Sequence, residues 1–318
     1  MVFHVYLMRY SFILDRPTNV CFMYSCIVLF WHIAKSGGTT LKSIYKCMKK
    51  TLTVRGMGKD EDDSLYVFEQ RGSGDKFVNV DTISRPGILR AERLGLVPSG
   101  LADIVVASNL NYAIEHLFDE YHKGRVIVLF RHPVERLISK FYYSQISTWE
   151  PSYRPEWANF NLMTWVNVAM DEENYMVKSL SGLGMNDLVS EIDYLVAVRT
   201  VRRRCFVGLM NQMEETIHRF NVIMGIDESE QINRKCMDIF FGHGELKSNA
   251  NSHPKVDERD PAWQAIAKKN EYDVKLYEEV VKLFDEQREV VESHARSFGS
   301  TTATTKRGGQ RRKGQRSL

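Results

Sequence analysis

The run Ile27-Val28-Leu29-Phe30-Trp31-His32-Ile33-Ala34-Lys35-Ser36-Gly37-Gly38-Thr39-Thr40-Leu41 passes from an apolar stretch into a small-residue loop carrying one lysine. Leu41, Ile44, Tyr45 and Met48 then recur at i, i+3, i+4 and i+7, which predicts one buried face of a helix. A strand, a small-residue loop and a helix start in that order make an anion cradle. Loop amides and the helix N-terminus point at a phosphate, and glycine removes side chains that would block close approach. Lys35 adds a mobile cation, while Ser36, Thr39 and Thr40 add hydroxyl donors. An ordinary strand-to-helix turn needs none of these.

Residue order within the loop decides which phosphate binder it is. A Walker A loop reads G-x-x-x-x-G-K-[ST], with its lysine after the glycines. Here Lys35 precedes Gly37 and Gly38, so that pattern fails. A second segment has the same architecture. Gly124-Arg125-Val126-Ile127-Val128-Leu129-Phe130 has strand length, and Arg131-His132-Pro133-Val134-Glu135-Arg136-Leu137-Ile138-Ser139-Lys140-Phe141-Tyr142-Tyr143 follows at once. Pro133 suits the first turn of a helix, and Val134, Leu137, Ile138, Phe141 and Tyr142 give it an apolar face. Arg131 stands at the strand end, with Ser139 about two helical turns on. A fixed guanidinium and a hydroxyl so spaced can clasp one phosphate.

The string from His32 to Thr40 resembles the 5′-phosphosulfate loop of the carbohydrate sulfotransferases, the heparan sulfate O-sulfotransferases among them, where H-x-x-K-[ST]-G-G-T-[TS] is typical. Ala34 stands where that family often has proline. The segment from Arg131 is similar to the family's 3′-phosphate motif, R-x-P-x-x-R-x-x-S-x-[FY], at every fixed position. The likeness spans roughly residues 27–290, and only these two motifs are specific. It implies a three-layer α/β fold of the P-loop nucleotide-hydrolase type, with a central parallel sheet flanked by helices. It also implies transfer of a sulfuryl group from 3′-phosphoadenosine 5′-phosphosulfate (PAPS) to a carbohydrate hydroxyl, with no metal. Lys35, Ser36, Gly37, Gly38, Thr39, Thr40, Arg131 and Ser139 would bind the donor, and Lys35 would also be catalytic. Ser248 and Lys255, in a polar loop that in relatives folds over the nucleotide, complete the donor set. Two alternatives stand beside this reading: an ATP-dependent P-loop phosphotransferase, which Asp81 at a strand end would suit, and a non-catalytic nucleotide- or glycan-binding relative.

Between the motifs, Phe77-Val78-Asn79-Val80 and Asp103-Ile104-Val105-Val106-Ala107-Ser108 read as strands, and Pro86 to Leu96 and Asn109 to Tyr121 as helices. Alternation of this kind predicts βαβ units and a parallel sheet, whose ligands bind at the carboxyl ends of strands. Lys35, Asp81, Ser108, Asn109 and Arg131 fall on that rim. The acceptor's hydroxyl needs a base there. In the heparan sulfate relatives a histidine follows the strand before the 3′-phosphate strand, and here Asn109 takes that place. Asparagine is no base near neutral pH. His116, two helical turns deeper, becomes the candidate, with His32 and Asp81 also on the rim.

Further on, the loop Ser147 to Pro155 offers Trp149 and Tyr153 to stack on a sugar, and Glu150 and Arg154 to bond its hydroxyls. Asn161 to Ser181 and Asp187 to Arg204 read as helical, Cys205 to Leu209 as a strand, and Asn211 to Met224 as a helix. Asp260-Pro261 opens a long terminal helix.

The chain divides into an apolar extension over 1–26, a catalytic domain over 27–298 and a disordered basic tail over 299–318. At 318 residues and 43% hydrophobic content it can bury a large core. Its net charge of +3 misleads, because six of its 43 basic residues and no acid lie in the tail, leaving 37 basic against 40 acidic residues. A specific nucleic-acid partner is not expected. The five cysteines, Cys21, Cys26, Cys47, Cys205 and Cys236, include no C-x-x-C pair. A zinc site and a disulfide framework are therefore not indicated, with one or two bridges left open for a lumenal protein. The resemblance implies a Golgi protein with a signal anchor. The apolar blocks Met1 to Leu14 and Val20 to Trp31, split by Asp15-Arg16-Pro17, each fall short of the roughly 20 residues that span a bilayer. Membrane association would run through a short or missing anchor.

Overall fold

The computed structural model describes residues 27–53, 56, 63–150, 152–242 and 253–308, with side chains to 296. The chain opens with β1 (Val28–Trp31) and α1 (Gly38–Cys47), followed by the hairpin β2 (Val67–Glu69) and β3 (Lys76–Val78). Next come α2 (Arg85–Arg93), α3 (Leu96–Ser99), β4 (Ile104–Ala107) and α4 (Leu110–Leu117). The second half of the sheet begins with β5 (Arg125–Phe130) and α5 (Pro133–Ile146), then α6 (Leu162–Val168), α7 (Tyr175–Ser181), α8 (Glu191–Arg204) and β6 (Cys205–Leu209). The chain closes with α9 (Met213–Met224), α10 (Gln231–Phe241), α11 (Pro261–Lys269) and α12 (Glu271–Gly308).

The fold is α/β: a parallel sheet in the order β4-β1-β5-β6, with helices on both faces. Continuous apolar strands suit a sheet covered on both sides. Alternation along each strand then sorts side chains between two cores. Leu29, Trp31, Val105, Val126, Val128 and Phe130 meet α2, α4, α7, α8 and α12 on one face. Val28, Phe30, Ile104, Val106, Ile127 and Leu129 meet α1, α9 and α10 on the other. A satellite core of Val134, Leu137, Phe141, Trp165 and Ile266 ties α5 to α6 and α11. The hairpin joins the sheet through Leu52, bridged in parallel to Phe77 and Ile104.

β1 is flanked by β4 on one side and β5 on the other. From β1 the chain continues towards the β4 edge, and from β5 towards β6. The loops leaving β1 and β5 therefore diverge to opposite faces and open a crevice between neighbouring strand ends, where ligands of such sheets bind.

Three departures from the sequence reading have local causes. The helix expected over Asn161 to Ser181 breaks into α6 and α7, because Asn174 adopts a left-handed φ of 51°. Its Oδ1 accepts from the backbone N–H groups of Tyr272 and Asp273. The terminal helix is interrupted at Asn270, whose Nδ2 donates to the Ile266 carbonyl and whose Oδ1 accepts from the Asn174 N–H. α12 continues through residues 299–308, where composition predicts disorder, since an established helix adds one hydrogen bond for each residue it fixes. One disulfide, within the one or two bridges that the sequence left open, joins Cys47 at the end of α1 to Cys236 of α10. The extension 1–26, with Cys21 and Cys26, and the tail end 309–318 lie outside the described residues. Among the described residues no helix is long and apolar enough to cross a membrane.

Candidate functional site

The β1 strand is carried one residue past its end by His32, whose N–H donates to the Ala107 carbonyl at 2.8 Å. The chain then turns sharply through Ala34 to Gly37. Lys35 and Gly37 both hold left-handed backbone, with φ of 65° and 88°, a conformation from which concave anion-binding backbone nests are built. For a lysine this is uncommon and marks a constrained position. Gly37 serves as N-cap of α1 without any side-chain cap bond, so the N–H groups of the first turn have no internal acceptor. The Ser36 hydroxyl, 1% exposed, has no hydrogen-bond partner among the described residues. An orphaned buried hydroxyl inside a turn of donors fits an absent anion.

Both glycines are required. A Cβ at position 38 would lie 2.2 Å from the Cδ2 of His32, which packs over that backbone. At position 37 it would be strained by φ and meet Met213 Cε at 2.9 Å. His32 is thus a wall of the loop, and burial foremost, with Lys42 adding repulsion, lowers its pKa to about 4. Thr39 is exposed on the first turn of α1, and Thr40 is buried beside it.

The loop after β5 meets this cradle. Arg131 donates from Nη1 to the Lys35 carbonyl at 3.3 Å and from Nε to Glu135 Oε2 at 3.4 Å. Its guanidinium therefore spans the two neighbouring strand ends. α5 starts at Pro133 with His132 as N-cap and no side-chain cap bond, a second open helix N-terminus. Ser139 sits two turns along α5 on its buried side, 4% exposed. Arg136, the other arginine of the motif, points into the core instead: fully buried, it pairs with Glu172 Oε2 at 2.7 Å. Lys140 reaches the other Glu172 oxygen at 2.8 Å. Burial alone would raise Glu172, but Arg136 and Lys140 outweigh it and hold its pKa near 2.

Lys35 Nζ lies 3.9 Å above the Tyr143 ring centroid. Burial first, then the charge of Arg131, depress its pKa, while Glu150 opposes them. The Tyr143 hydroxyl donates to Glu150 Oε1 at 2.9 Å and accepts from Trp149 Nε1 at 3.3 Å. This cluster of Tyr143, Trp149 and Glu150 around the lysine is where the structure exceeds the sequence. Its only sequence signal is the aromatic and charged content of the loop after α5.

The remaining rim candidates have structural partners. Asn109 caps α4, its Oδ1 accepting from the Tyr112 N–H. Asp81 shapes a turn: Oδ1 accepts from the Ile83 and Ser84 N–H groups, and Oδ2 from the Ser84 hydroxyl. The Ser108 carbonyl accepts from Trp31 Nε1. His116 is not brought to the site. It lies in the last turn of α4, at the end remote from the strand ends, with Nδ1 2.8 Å from Glu92 Oε2 and its ring on Tyr112. Lys255 is exposed, two residues beyond His253, which stacks on Tyr142 of α5 at 5.1 Å. Ser248 lies outside the described residues.

No protein-family model and no curated protein matches the chain. Among solved structures the chain is similar to that of mouse sulfotransferase SULT7A1 complexed with PAP, at 14% identity over 91% of this chain and 95% of that chain, with a TM-score of 0.37.

Proposed function

We propose that this protein is a sulfotransferase that moves a sulfuryl group from PAPS to a hydroxyl of a carbohydrate acceptor. The observation that carries the reading is the junction of two uncapped helix N-termini at adjacent strand ends, bridged by Arg131 on the Lys35 carbonyl. A donor phosphorylated at both ends of its nucleoside needs two such sites side by side. In this reading the loop of Ser36 to Thr40 holds the 5′-phosphosulfate, and Arg131 with Ser139 holds the 3′-phosphate. When bound, the donor supplies an activated sulfuryl group. Lys35 meets charge developing on the bridging oxygen as the S–O bond breaks, and its partly buried position strengthens that effect. Trp149, 69% exposed next to Tyr143, offers a sugar an aromatic face. Ser248 and Lys255 are assigned to the donor's cover on the family likeness alone.

The ATP alternative is less favoured, since both oxygens of Asp81 already accept hydrogen bonds within its own turn. The non-catalytic alternative draws on Asn109, a helix cap where relatives have the base. The disulfide fits an oxidising compartment, in keeping with a Golgi-lumenal enzyme tethered through its N-terminal extension. Calorimetry with 3′-phosphoadenosine 5′-phosphate and with ATP–magnesium tests the donor. Tight binding of the bisphosphate, weakened by Arg131→Ala, is expected. Metal-dependent ATP binding with no response to the bisphosphate would overturn the reading.

A further inference from the structure

The strand end expected to carry a base carries Asn109, so the acceptor's proton needs another destination. Among the described residues, two carboxylates stand by Lys35 or its neighbour Arg131. Glu135 pairs with Arg131 on the first turn of α5, its side chain 60% exposed. Glu150 stands on the other side, in the turn after α5, where its N–H donates to the Ser147 carbonyl and its carbonyl accepts from the Tyr153 N–H. We propose that Glu150 is the general base for the acceptor hydroxyl, with Tyr143 as the residue that positions its carboxylate beside Lys35.

The geometry runs through one side chain. The Tyr143 ring lies beneath the ammonium at 3.9 Å, and its hydroxyl holds Glu150 Oε1 at 2.9 Å. Trp149 Nε1 donates to the same hydroxyl and fixes its direction. The carboxylate is felt at the lysine, whose pKa it raises against burial and Arg131. A carboxylate and a cation held on one aromatic spacer are the two groups that sulfuryl transfer requires, a base for the entering oxygen and a positive charge for the leaving oxygen. His32 is a weaker choice, because burial lowers its pKa to about 4 and its ring closes over Gly38.

This rests on the donor site proposed above. In the step, the acceptor oxygen forms a bond to sulfur while its proton passes to the Glu150 carboxylate. The S–O bond to the 5′-phosphate breaks, and its electron pair leaves with the bisphosphate opposite Lys35. Water afterwards removes the proton from Glu150.

The test follows labelled sulfuryl transfer from PAPS to heparan sulfate, desulfated heparin, chondroitin and water, using the full chain and its Glu150→Gln, Glu150→Asp and Tyr143→Phe variants. Glu150→Gln should lose about 100-fold or more in kcat, with bisphosphate affinity unchanged and the acid limb of the pH–rate profile gone. Glu150→Asp should recover part of the rate and keep that limb. Tyr143→Phe should shift the limb while retaining measurable turnover, a change that loss of packing alone would not produce. Wild-type rates in Glu150→Gln, or an unchanged acid limb in it, would overturn the assignment. So would a wild type that binds the bisphosphate yet transfers to none of the four acceptors. Failure to bind the bisphosphate at all would instead remove the donor site beneath it.

Discussion

Lys35 is held in left-handed backbone, over an aromatic ring, against the pull of burial and a neighbouring arginine that both favour its neutral form. In the proposed reaction its ammonium faces the bridging oxygen that leaves with the bisphosphate. Lys35→Ala should therefore cost turnover far more than donor affinity, by about 100- to 1,000-fold in kcat, measured as initial rates alongside calorimetry. Arg131→Ala and Ser139→Ala should do the reverse, each weakening bisphosphate binding by about 1.5–3 kcal/mol, the worth of a hydrogen bond to a charged group. Equal activity in all three variants would remove the assignment. Arg136 belongs to stability instead. Glu172 has a folded pKa near 2, below the ordinary carboxylate value. Its pairing therefore stabilises fully above about pH 4.5 and is lost as pH falls toward 2, a difference of about 3 kcal/mol. Glu172→Gln leaves a buried guanidinium without its anion and should cost about 3–5 kcal/mol at neutral pH in denaturant unfolding.

The turn from β1 into α1 tolerates no Cβ at Gly38 because the His32 ring occupies that space. Gly38→Ala should destabilise by about 1–3 kcal/mol through overpacking, and His32→Ala in the same chain should return part of the loss. The coupling in that double-mutant cycle measures the contact directly. α4 gives the opposite expectation. His116→Ala should leave turnover unchanged, since the histidine sits on Glu92 at the end of the helix remote from the rim. Seven residues beyond the N-cap amount to about 10 Å of helix, too far for a side chain to return to the strand ends. The strand-loop-helix units of β1 with α1 and β5 with α5 were legible because each joins an apolar run, a loop signal and a 3.6-residue period within about fifteen residues. Lys35, Arg131 and the glycines came with them. The break at Asn174 and the base were not legible, because both depend on partners far along the chain: Asn270 for one, and for the other the fold that brings the turn at Glu150 against the loop at Lys35.

Nothing between Cys47 and Cys236 in the linear chain pairs them, for 189 residues separate them and spacing alone assigns no connectivity. Their meeting is a consequence of the sheet. β1 sends α1 onto the face that α9 and α10 also cover, and the end of α1 there reaches α10. The bridge closes a loop that contains β4, β5 and β6, so it restricts the unfolded chain across most of the sheet. Chain entropy alone assigns a loop of that length about 5 kcal/mol, of which a bridge typically realises about 2–4 kcal/mol. The cradle residues at the start of α1 lie about 15 Å from Cys47 along the helix, and their geometry is set by Gly37, Gly38 and Arg131 rather than by the bridge. Cys47→Ser with Cys236→Ser should therefore lower the unfolding midpoint in urea while bisphosphate affinity, measured at a temperature where both proteins are folded, stays the same. Dithiothreitol should shift the midpoint of the native protein and leave that of the double variant in place. A double variant as stable as the wild type would mean that the two helices are held by the Leu41, Ile44 and Met237 core alone, and a loss of affinity at unchanged fold would mean that the bridge sets the pitch of α1 at the donor site.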